Sequence, residues 1–324
     1  MSQLPIETLG RKAHSLVASG GKGEVLAVFS SIAYLLTDQD ELLWLSGRGS
    51  PMHRRCLRTA GPLPALAPGA TFSFQGPRLV IEPSIEMGLR NAALWVAEQS
   101  PAATAIVQRS VPQRVRALVS RTLQDMRPRG FGRLIPRILD LADGRASRGE
   151  AEEVELGVLE AWPAVRSLAE AALRRDTSRI LELARDLLGL GQGLTPSGDD
   201  FLGGFLFGWR RVKRVEPSIP DLPRLGAFMQ VAKQKTNRIS LALLQDLADG
   251  HAIEPLHQSL DLLLSGHPVD HAHEALRRLT SLGHSTGWDL WTGALCSLLF
   301  AFSSRRTGPT PGASIAETEP YALS

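Results

Sequence analysis

The spacing of apolar residues changes at Pro83, and this change limits the fold more than any other feature of the chain. Before Pro83, short apolar runs alternate with tight-turn sequences, which predicts strands at 25–29, 33–37, 42–45, 70–74 and 78–82. After Pro83, apolar residues recur every three or four positions, which predicts helices. The expected fold is α+β, with a small N-terminal β-barrel-like or sandwich-like domain followed by a larger, mainly α-helical domain.

A chain of 324 residues favours two domains. We expect a β-rich domain at 1–86, a helical ligand-binding domain at 87–304 and a disordered tail at 305–324, which is rich in Pro, Thr, Ala and Ser. The predicted helices cover 88–99, 111–126, 134–142, 150–162, 164–188, 201–209, 225–250, 256–266, 269–282 and 290–302. The Arg-rich stretch 127–148 is expected to form loops around one short helix.

Charge and composition exclude several classes of protein. The 36 Lys and Arg nearly balance the 33 Asp and Glu, so the net charge of +3 gives no field that would gather nucleic acid. The most apolar predicted helix, 290–302, is too short to span a membrane, and the N-terminus does not match a signal peptide. Cys56 and Cys296 lack disulfide or zinc spacing, so we expect reduced thiols in a cytoplasmic protein.

A glycine-rich turn at 189–200 precedes the predicted helix 201–209. Its sequence, Gly-Leu-Gly-Gln-Gly-Leu-Thr-Pro-Ser-Gly-Asp-Asp, lets the backbone approach a ligand closely. The first N–H groups of a helix have no partner within it, and we expect them to bind a small anion here. Neither the P-loop nor the dinucleotide-binding fingerprint fits this turn, which excludes a nucleotide fold on that ground.

A second turn repeats the first without a gap. Residues 197–206 align with residues 286–295 in the pattern hydroxyl, Gly, any residue, Asp, two apolar residues, a small residue and Gly. Gly204 and Gly293 fall one helical turn beyond Asp200 and Asp289, where a missing side chain lets two helices approach. We therefore predict a pseudo-symmetric pair of helices whose N-termini open onto one pocket.

Two interpretations of the turns remain open. The spacing of Ser197 to Asp200, and of Thr286 to Asp289, also matches a helix capping box, in which the polar groups only satisfy the first N–H groups. Asp199 adds a second carboxylate to a helix start that needs at most one for capping. Clustered carboxyls indicate either a cation site or a carboxyl whose raised pKa lets it move a proton.

The remaining candidate residues lie beside the second turn and in the predicted helix 225–250. His284 is a candidate acid, base or donor to an oxyanion, or an ordinary hydrogen-bonded histidine. Thr236, Asn237 and Ser240 share one helix face and fit either a pocket wall or a wet surface. The catalytic candidates are Asp199, Asp200, His284 and Asp289. The substrate-binding candidates are Gly191, Gly193, Thr195, Ser197, Gly198, Thr236, Asn237, Ser240, Ser285, Thr286 and Gly287.

The two turns, together with Thr236 to Ser240, resemble a bacterial family linked to the AllH-type subunit of oxamate carbamoyltransferase. The resemblance implies a role in the breakdown of purine-derived ureides such as those of allantoin degradation. In the oxamate carbamoyltransferase reaction, oxalurate and phosphate exchange a carbamoyl group to give oxamate and carbamoyl phosphate. The resemblance also implies partner subunits. Both substrates are small anions, which agrees with the expected use of helix N-termini.

Three hypotheses follow, and they belong to different classes. The first is a carbamoyltransferase component that binds phosphate, carbamoyl phosphate, oxalurate or oxamate between the turns. The second is a non-catalytic assembly subunit of such a complex, whose turns only cap helices. The third is a hydrolase in which the carboxyls hold Mg²⁺ or Mn²⁺. The sequence names no metal ligands and no certain cofactor.

Overall fold

The computed structural model describes residues 4–97, 105–145 and 156–302. Within these ranges, nine strands form one sheet. They are β1 (Leu4–Gly10), β2 (Lys22–Val28), β3 (Ile32–Thr37), β4 (Leu42–Ser46), β5 (Cys56–Thr59), β6 (Thr71–Gln75), β7 (Arg78–Ile81), β8 (Ile85–Gly88) and β9 (Ala93–Trp95).

Eight of these nine described strands close into a barrel. The order is β5-β4-β3-β2-β6-β7-β8-β1, and β1 pairs antiparallel with β5 to complete the ring. The ninth strand, β9, pairs in parallel with the second half of β1, just past its contact with β8. The α+β prediction is confirmed, and of its two all-β alternatives the barrel is the one that forms.

Strands β3, β4 and β5 are buried on both faces, which decides how the barrel meets the rest of the chain. Ala33 and Leu35 point into the barrel core, as alternating residues of a strand must. Ile32 and Tyr34, which alternate with them, and Trp44 on β4 belong to a second apolar cluster that includes Leu243 outside the barrel. This outward face therefore joins the barrel to the helical region.

The described residues contain eleven α-helices, of which α1 lies in the barrel and the other ten in the helical region. They are α1 (Arg11–Ala18), α2 (Ala105–Asp125), α3 (Ile135–Ala142), α4 (Leu156–Leu173), α5 (Thr177–Ala184), α6 (Ser197–Val215), α7 (Leu225–Lys235), α8 (Arg238–Ala248), α9 (Glu254–Leu264), α10 (Val269–Thr280) and α11 (Thr286–Ala301). A 3₁₀ segment, Gly130–Leu134, precedes α3. None of the described helices is both long and apolar enough to cross a membrane.

Four predicted helices differ from the structure. The helix predicted at 88–99 is wrong over its described part, because β8 ends at Gly88 and Ala93–Trp95 pairs with β1 as β9. The predicted break between 162 and 164 is also wrong, because Pro163 lies inside α4 and the chain turns only after Leu173. The predicted helix 225–250 divides into α7 and α8.

Helices α6 and α11 form the centre of the helical core and cross at their glycines. A Cβ on Gly204 would lie 1.9 Å from the carbonyl oxygen of Leu290, and one on Gly293 would lie 1.8 Å from that of Phe201. The two contacts are equivalent under the sequence repeat. The predicted pseudo-symmetric helix pair is confirmed. The predicted tail at 305–324 lies outside the described residues.

A buried ion pair ties the barrel to α8. The guanidinium of Arg55 donates to both carboxylate oxygens of Asp246, at 2.5 and 2.9 Å, and both side chains are almost fully buried. Burial is the largest single effect and acts to raise the pKa of Asp246, but the hydrogen bonds from Arg55 together with the nearby positive charges lower it overall. This bidentate pair fixes the angle at which the barrel meets the helices.

Candidate functional site

The glycine-rich turn needs glycine at two positions in particular. Gly189 has φ +74°, and a Cβ there would lie 2.3 Å from the carbonyl oxygen of Lys235. Gly191 has φ +112°, and its Cβ would lie 2.8 Å from the backbone nitrogen of Ser197. Side chains would be strained at both positions because φ is positive. These glycines let the turn fold tightly against the start of α6 and the end of α7.

Both helices begin in the same way. A Cβ on Gly198 would lie 2.0 Å from the carbonyl oxygen of Leu187, and one on Gly287 would lie 1.8 Å from that of Leu279. Each glycine is the second residue of its helix. The sequence repeat therefore includes the packing of each helix start against the chain that leads into it.

Several of the first N–H groups of these helices are paired with the preceding turn. Gly198 donates to the carbonyl of Leu190 at 2.8 Å, and Asp199 and Asp200 both donate to that of Pro196. In the second helix, Gly287 donates to the carbonyl of Leu282 and Asp289 to that of Ser285. The turns therefore supply acceptors for part of each helix start, and the binding of an anion there stays a prediction.

The capping-box interpretation is also wrong. The N-cap residues are Pro196 and Ser285, and neither forms a side-chain capping hydrogen bond. Ser197 and Thr286 are the first helical residues rather than the caps. Their hydroxyls are therefore available for contacts across the helix pair.

Hydroxyls from the two turns meet in pairs. The Oγ1 atoms of Thr195 and Thr286 lie 3.2 Å apart, and the Oγ atoms of Ser197 and Ser285 lie 3.5 Å apart. Two carboxyls stand beside these pairs. We call these six residues the hydroxyl–carboxyl cluster: Thr195, Ser197, Asp200, Ser285, Thr286 and Asp289. The two turns thus form one continuous polar cluster.

The two carboxyls of the cluster are buried and incompletely bonded. Asp200 is 5% exposed and Asp289 is fully buried, and the Oδ2 atom of each has no hydrogen-bond partner among the described residues. Burial raises the pKa of Asp200 well above its ordinary value, and the neighbouring Asp289 raises it further. Burial also raises the pKa of Asp289, to about 6, although the Phe131 N–H and nearby hydroxyls lower it. Burial and the neighbouring Asp289 therefore both favour the neutral form of Asp200.

Asp199 belongs to a separate set of contacts that supports the turn. Its Oδ1 accepts from the Gly189 N–H at 2.8 Å, and its Oδ2 accepts from the hydroxyls of Thr236 and Ser240. Asn237 caps α8 by accepting from the N–H groups of residues 239 and 240, and donates to the carbonyl of Leu194. In this arrangement these residues brace the glycine-rich turn.

A cavity of about 300 Å³ lies between the cluster and the barrel. From the two turns it is lined by Thr195, Asp200, Gly283 and Thr286. Its opposite wall includes barrel residues that the sequence did not single out. They are Ser31, Ile32, Tyr34, Trp44, Ser46, Ser50, Pro51 and His53. The two turns therefore share one cavity, and the barrel closes it.

The barrel wall could have been recognised from one signal in the sequence. Tyr34 and Trp44 alternate with the apolar residues that fill the barrel core, so they must point outward. The two residues are direct cross-strand partners, with ring centroids 6.0 Å apart. Two outward aromatic residues on neighbouring strands indicate a contact surface rather than a solvated face.

The other candidate residues lie away from the cavity wall. Gly191, Gly193 and His284 are exposed and do not line the cavity. Asp289 faces the 3₁₀ segment, where its Oδ1 accepts from the Phe131 N–H at 2.7 Å. Gly130 leaves room for this contact, because a Cβ there would lie 2.4 Å from the same oxygen. No group of three or more His, Cys, Asp or Glu side chains that could hold a metal occurs among the described residues.

One comparison with known proteins gave a match. The model of the family described as oxamate carbamoyltransferase subunit AllH matches residues 187–298. This segment begins just before the glycine-rich turn and ends inside α11, so it contains the whole cluster and the Asp199 contacts. The search of curated proteins and the search of solved structures gave no match.

Proposed function

This chain is AllH-like over residues 187–298, and on that basis we propose that it is a working subunit of an oxamate-carbamoyltransferase-type complex. The complex would interconvert oxalurate and phosphate with oxamate and carbamoyl phosphate. The single observation that carries a role in catalysis is the position of Asp200. This carboxyl lines the cavity, is almost fully buried and has an unpartnered oxygen.

A neutral Asp200 has a defined task in this reaction. In the forward direction a phosphate oxygen attacks the carbamoyl carbon of oxalurate, and the bond from that carbon to the oxamate nitrogen breaks. The leaving nitrogen gains a proton from the Asp200 carboxyl, and the proton that the attacking hydrogen phosphate loses restores that carboxyl. In reverse, Asp200 gives a proton to the leaving phosphate and takes one from the attacking amide of oxamate. The raised pKa keeps the carboxyl protonated until the transfer.

The hydroxyls of Thr195 and Thr286 orient the reacting group. Both line the cavity, and both lie near Asp200, whose pKa they lower. A hydroxyl both donates and accepts, so this pair can bond to the carbonyl and to an N–H of a bound ureido group. Asp199, Thr236 and Asn237 keep the turn in place and have no direct task in the transfer.

The test uses the complex purified through a tag on this chain together with its bound subunits. Carbamoyl transfer from carbamoyl phosphate to oxamate is measured for the wild type and for Asp200→Asn. We expect the variant to lose activity by about 10²-fold or more, as removal of a general acid does. The exposed Asp186→Asn is the matched control and should keep wild-type turnover. Equal turnover of Asp200→Asn and the control would contradict the proposal.

The second candidate is a non-catalytic assembly subunit. The observation that favours it is the internal pairing of the Asp199 carboxylate and of the Gly198 and Gly287 N–H groups, which leaves fewer groups for a ligand. If this candidate is correct, Asp199→Ala combined with Ser285→Ala leaves the activity of the assembled complex intact, and Asp200→Asn does so as well. The catalytic proposal predicts the opposite for Asp200→Asn.

A further inference from the structure

The cavity beside the cluster carries no positive charge. None of the described residues that line it is Lys or Arg, and its only carboxyl is Asp200. A phosphate dianion placed there would lose its hydration without gaining a Lys or Arg partner from the lining, and it would lie beside the carboxyl of Asp200. A planar amide or ureido group, which is uncharged and needs only hydrogen bonds, avoids this cost.

The barrel supplies an aromatic wall to the cavity. The ring of His53 stacks on Trp44, with centroids 4.7 Å apart and planes inclined by 21°. Tyr34 stands beside Trp44 as its cross-strand partner. All three side chains line the cavity. Aromatic faces of this kind bind planar conjugated groups by stacking, and they add a polar edge.

His53 has a defined protonation state in this wall. The Arg55 backbone N–H donates to its Nδ1 at 3.3 Å, so the hydrogen of the neutral ring lies on Nε2. Burial lowers the pKa of His53 to about 4, against the opposing effect of Asp246. The ring is therefore uncharged at physiological pH, and it adds aromatic surface to the wall without adding a cation.

The geometry points to a division of the substrate: this cavity holds the planar amide or ureido part between the Thr195–Thr286 hydroxyls and the Tyr34–Trp44–His53 wall, and the phosphate binds outside it. The inference rests on the proposed function and makes it more specific. It gives the barrel a role in substrate recognition. It also requires that the cations for the phosphate come from outside the lining of this cavity.

The experiment is calorimetric titration of the tagged complex with three probes: oxamate, the neutral planar diamide oxamide, and inorganic phosphate. We expect oxamate and oxamide to compete for one site, and phosphate to leave the affinity for oxamide unchanged. Trp44→Leu should weaken oxamide binding by about tenfold or more, because stacking on the wall is lost. Tyr34→Phe and His53→Gln preserve much of the wall's volume and should each weaken binding by less.

The matched control is Phe72→Leu, an aromatic replacement in the barrel core that does not line the cavity. If Trp44→Leu binds oxamide as tightly as this control, or if phosphate competes with oxamide, the inference is overturned. The proposed function would survive that result as long as Asp200→Asn still abolishes turnover. If the wild-type complex binds no probe and transfers no carbamoyl group, the proposed function itself fails.

Discussion

The two faces of the hydroxyl–carboxyl cluster are built from the same repeated sequence but have different neighbours. On one face, Asp200 lines a cavity that the barrel closes. On the other, Asp289 accepts from the Phe131 N–H and is covered by the 3₁₀ segment. We refer to these as the open face and the sealed face. The repeat thus supplies the scaffold, and segments outside the repeat decide which face can bind a ligand.

This comparison gives the carboxyls different tasks. The Phe131 N–H holds the Asp289 carboxyl in one orientation and offsets part of the rise in its pKa that burial causes. A carboxyl that keeps an unpartnered oxygen at a cavity wall can bind a ligand or transfer a proton. The two aspartates are equivalent in the sequence alignment, but the account assigns chemistry only to Asp200.

The largest expected effect concerns the crossing of α6 and α11, where the two copies of the repeat make equivalent contacts. Gly204→Ala and Gly293→Ala should each lower the free energy of unfolding by about 3 kcal/mol or more, because the new methyl group would overlap a backbone carbonyl. Chemical denaturation measures both. Gly157→Ala is the control, since a Cβ there meets open space, and it should be neutral or gain up to about 1 kcal/mol. Clearly unequal losses at Gly204 and Gly293 would contradict the equivalence of the helices.

The next prediction concerns the sealed face, where Asp289 should make the free energy of unfolding depend on pH. The pKa of Asp289 in the folded protein, about 6, lies above its ordinary value of 3.8. The stability linked to this group is therefore complete below pH 3.8 and is lost as the pH rises through 6, at a cost of about 3 kcal/mol. Relative to Asp289→Asn, the wild type should become less stable by that amount between pH 4 and pH 7. Urea denaturation across this range tests it, and a pH-independent difference would refute it.

A smaller effect is expected for the contacts that brace the turn. Asp199→Ala leaves the Gly189 N–H and the Thr236 and Ser240 hydroxyls without their acceptor, which should cost about 2 kcal/mol. Thr236→Val removes only one of these bonds and should cost about 1 kcal/mol. Thermal or urea unfolding measures both variants. If Asp199→Ala is as stable as the wild type, the assignment of Asp199 to bracing is wrong.

The smallest effect separates the two hydroxyl pairs. A double-mutant cycle with Thr195→Val and Thr286→Val should give a coupling energy of about 0.5–1 kcal/mol, because the two oxygens lie at hydrogen-bond distance. The same cycle with Ser197→Ala and Ser285→Ala should give less, since that pair is 3.5 Å apart. A stronger coupling energy in the serine pair than in the threonine pair would contradict this expected order.

Much of the scaffold could be predicted from local patterns. Alternation of apolar residues predicted five barrel strands, and the repeat of residues 197–206 at 286–295 predicted the helix pair and its crossing glycines. These features depend on periodicity and spacing, which a single sequence displays. The strand β9 was mistaken for part of a helix because its pairing with β1 is long-range and leaves no periodic signal in three residues.

The site was predicted less completely, for physical reasons. The N–H groups of Gly198 and Asp199 donate to backbone carbonyls of Leu190 and Pro196, and no residue type signals such a bond. The roles of Asp199 and Asp289 depend on contacts with α8 and with the 3₁₀ segment, which are distant from these carboxyls in sequence. Strand alternation marks Tyr34 and Trp44 as outward-facing, but only their packing with Leu243 shows that they face the helices.

The most direct test of the central claim compares the open and sealed faces in one assay. Carbamoyl transfer is measured for complexes carrying Asp200→Asn or Asp289→Asn, each confirmed to be folded and assembled. The account predicts that Asp200→Asn lowers turnover by about 10²-fold or more and that Asp289→Asn stays within about tenfold of the wild type. Equal losses, or a larger loss for Asp289→Asn, would contradict the claim that the reaction takes place on the open face.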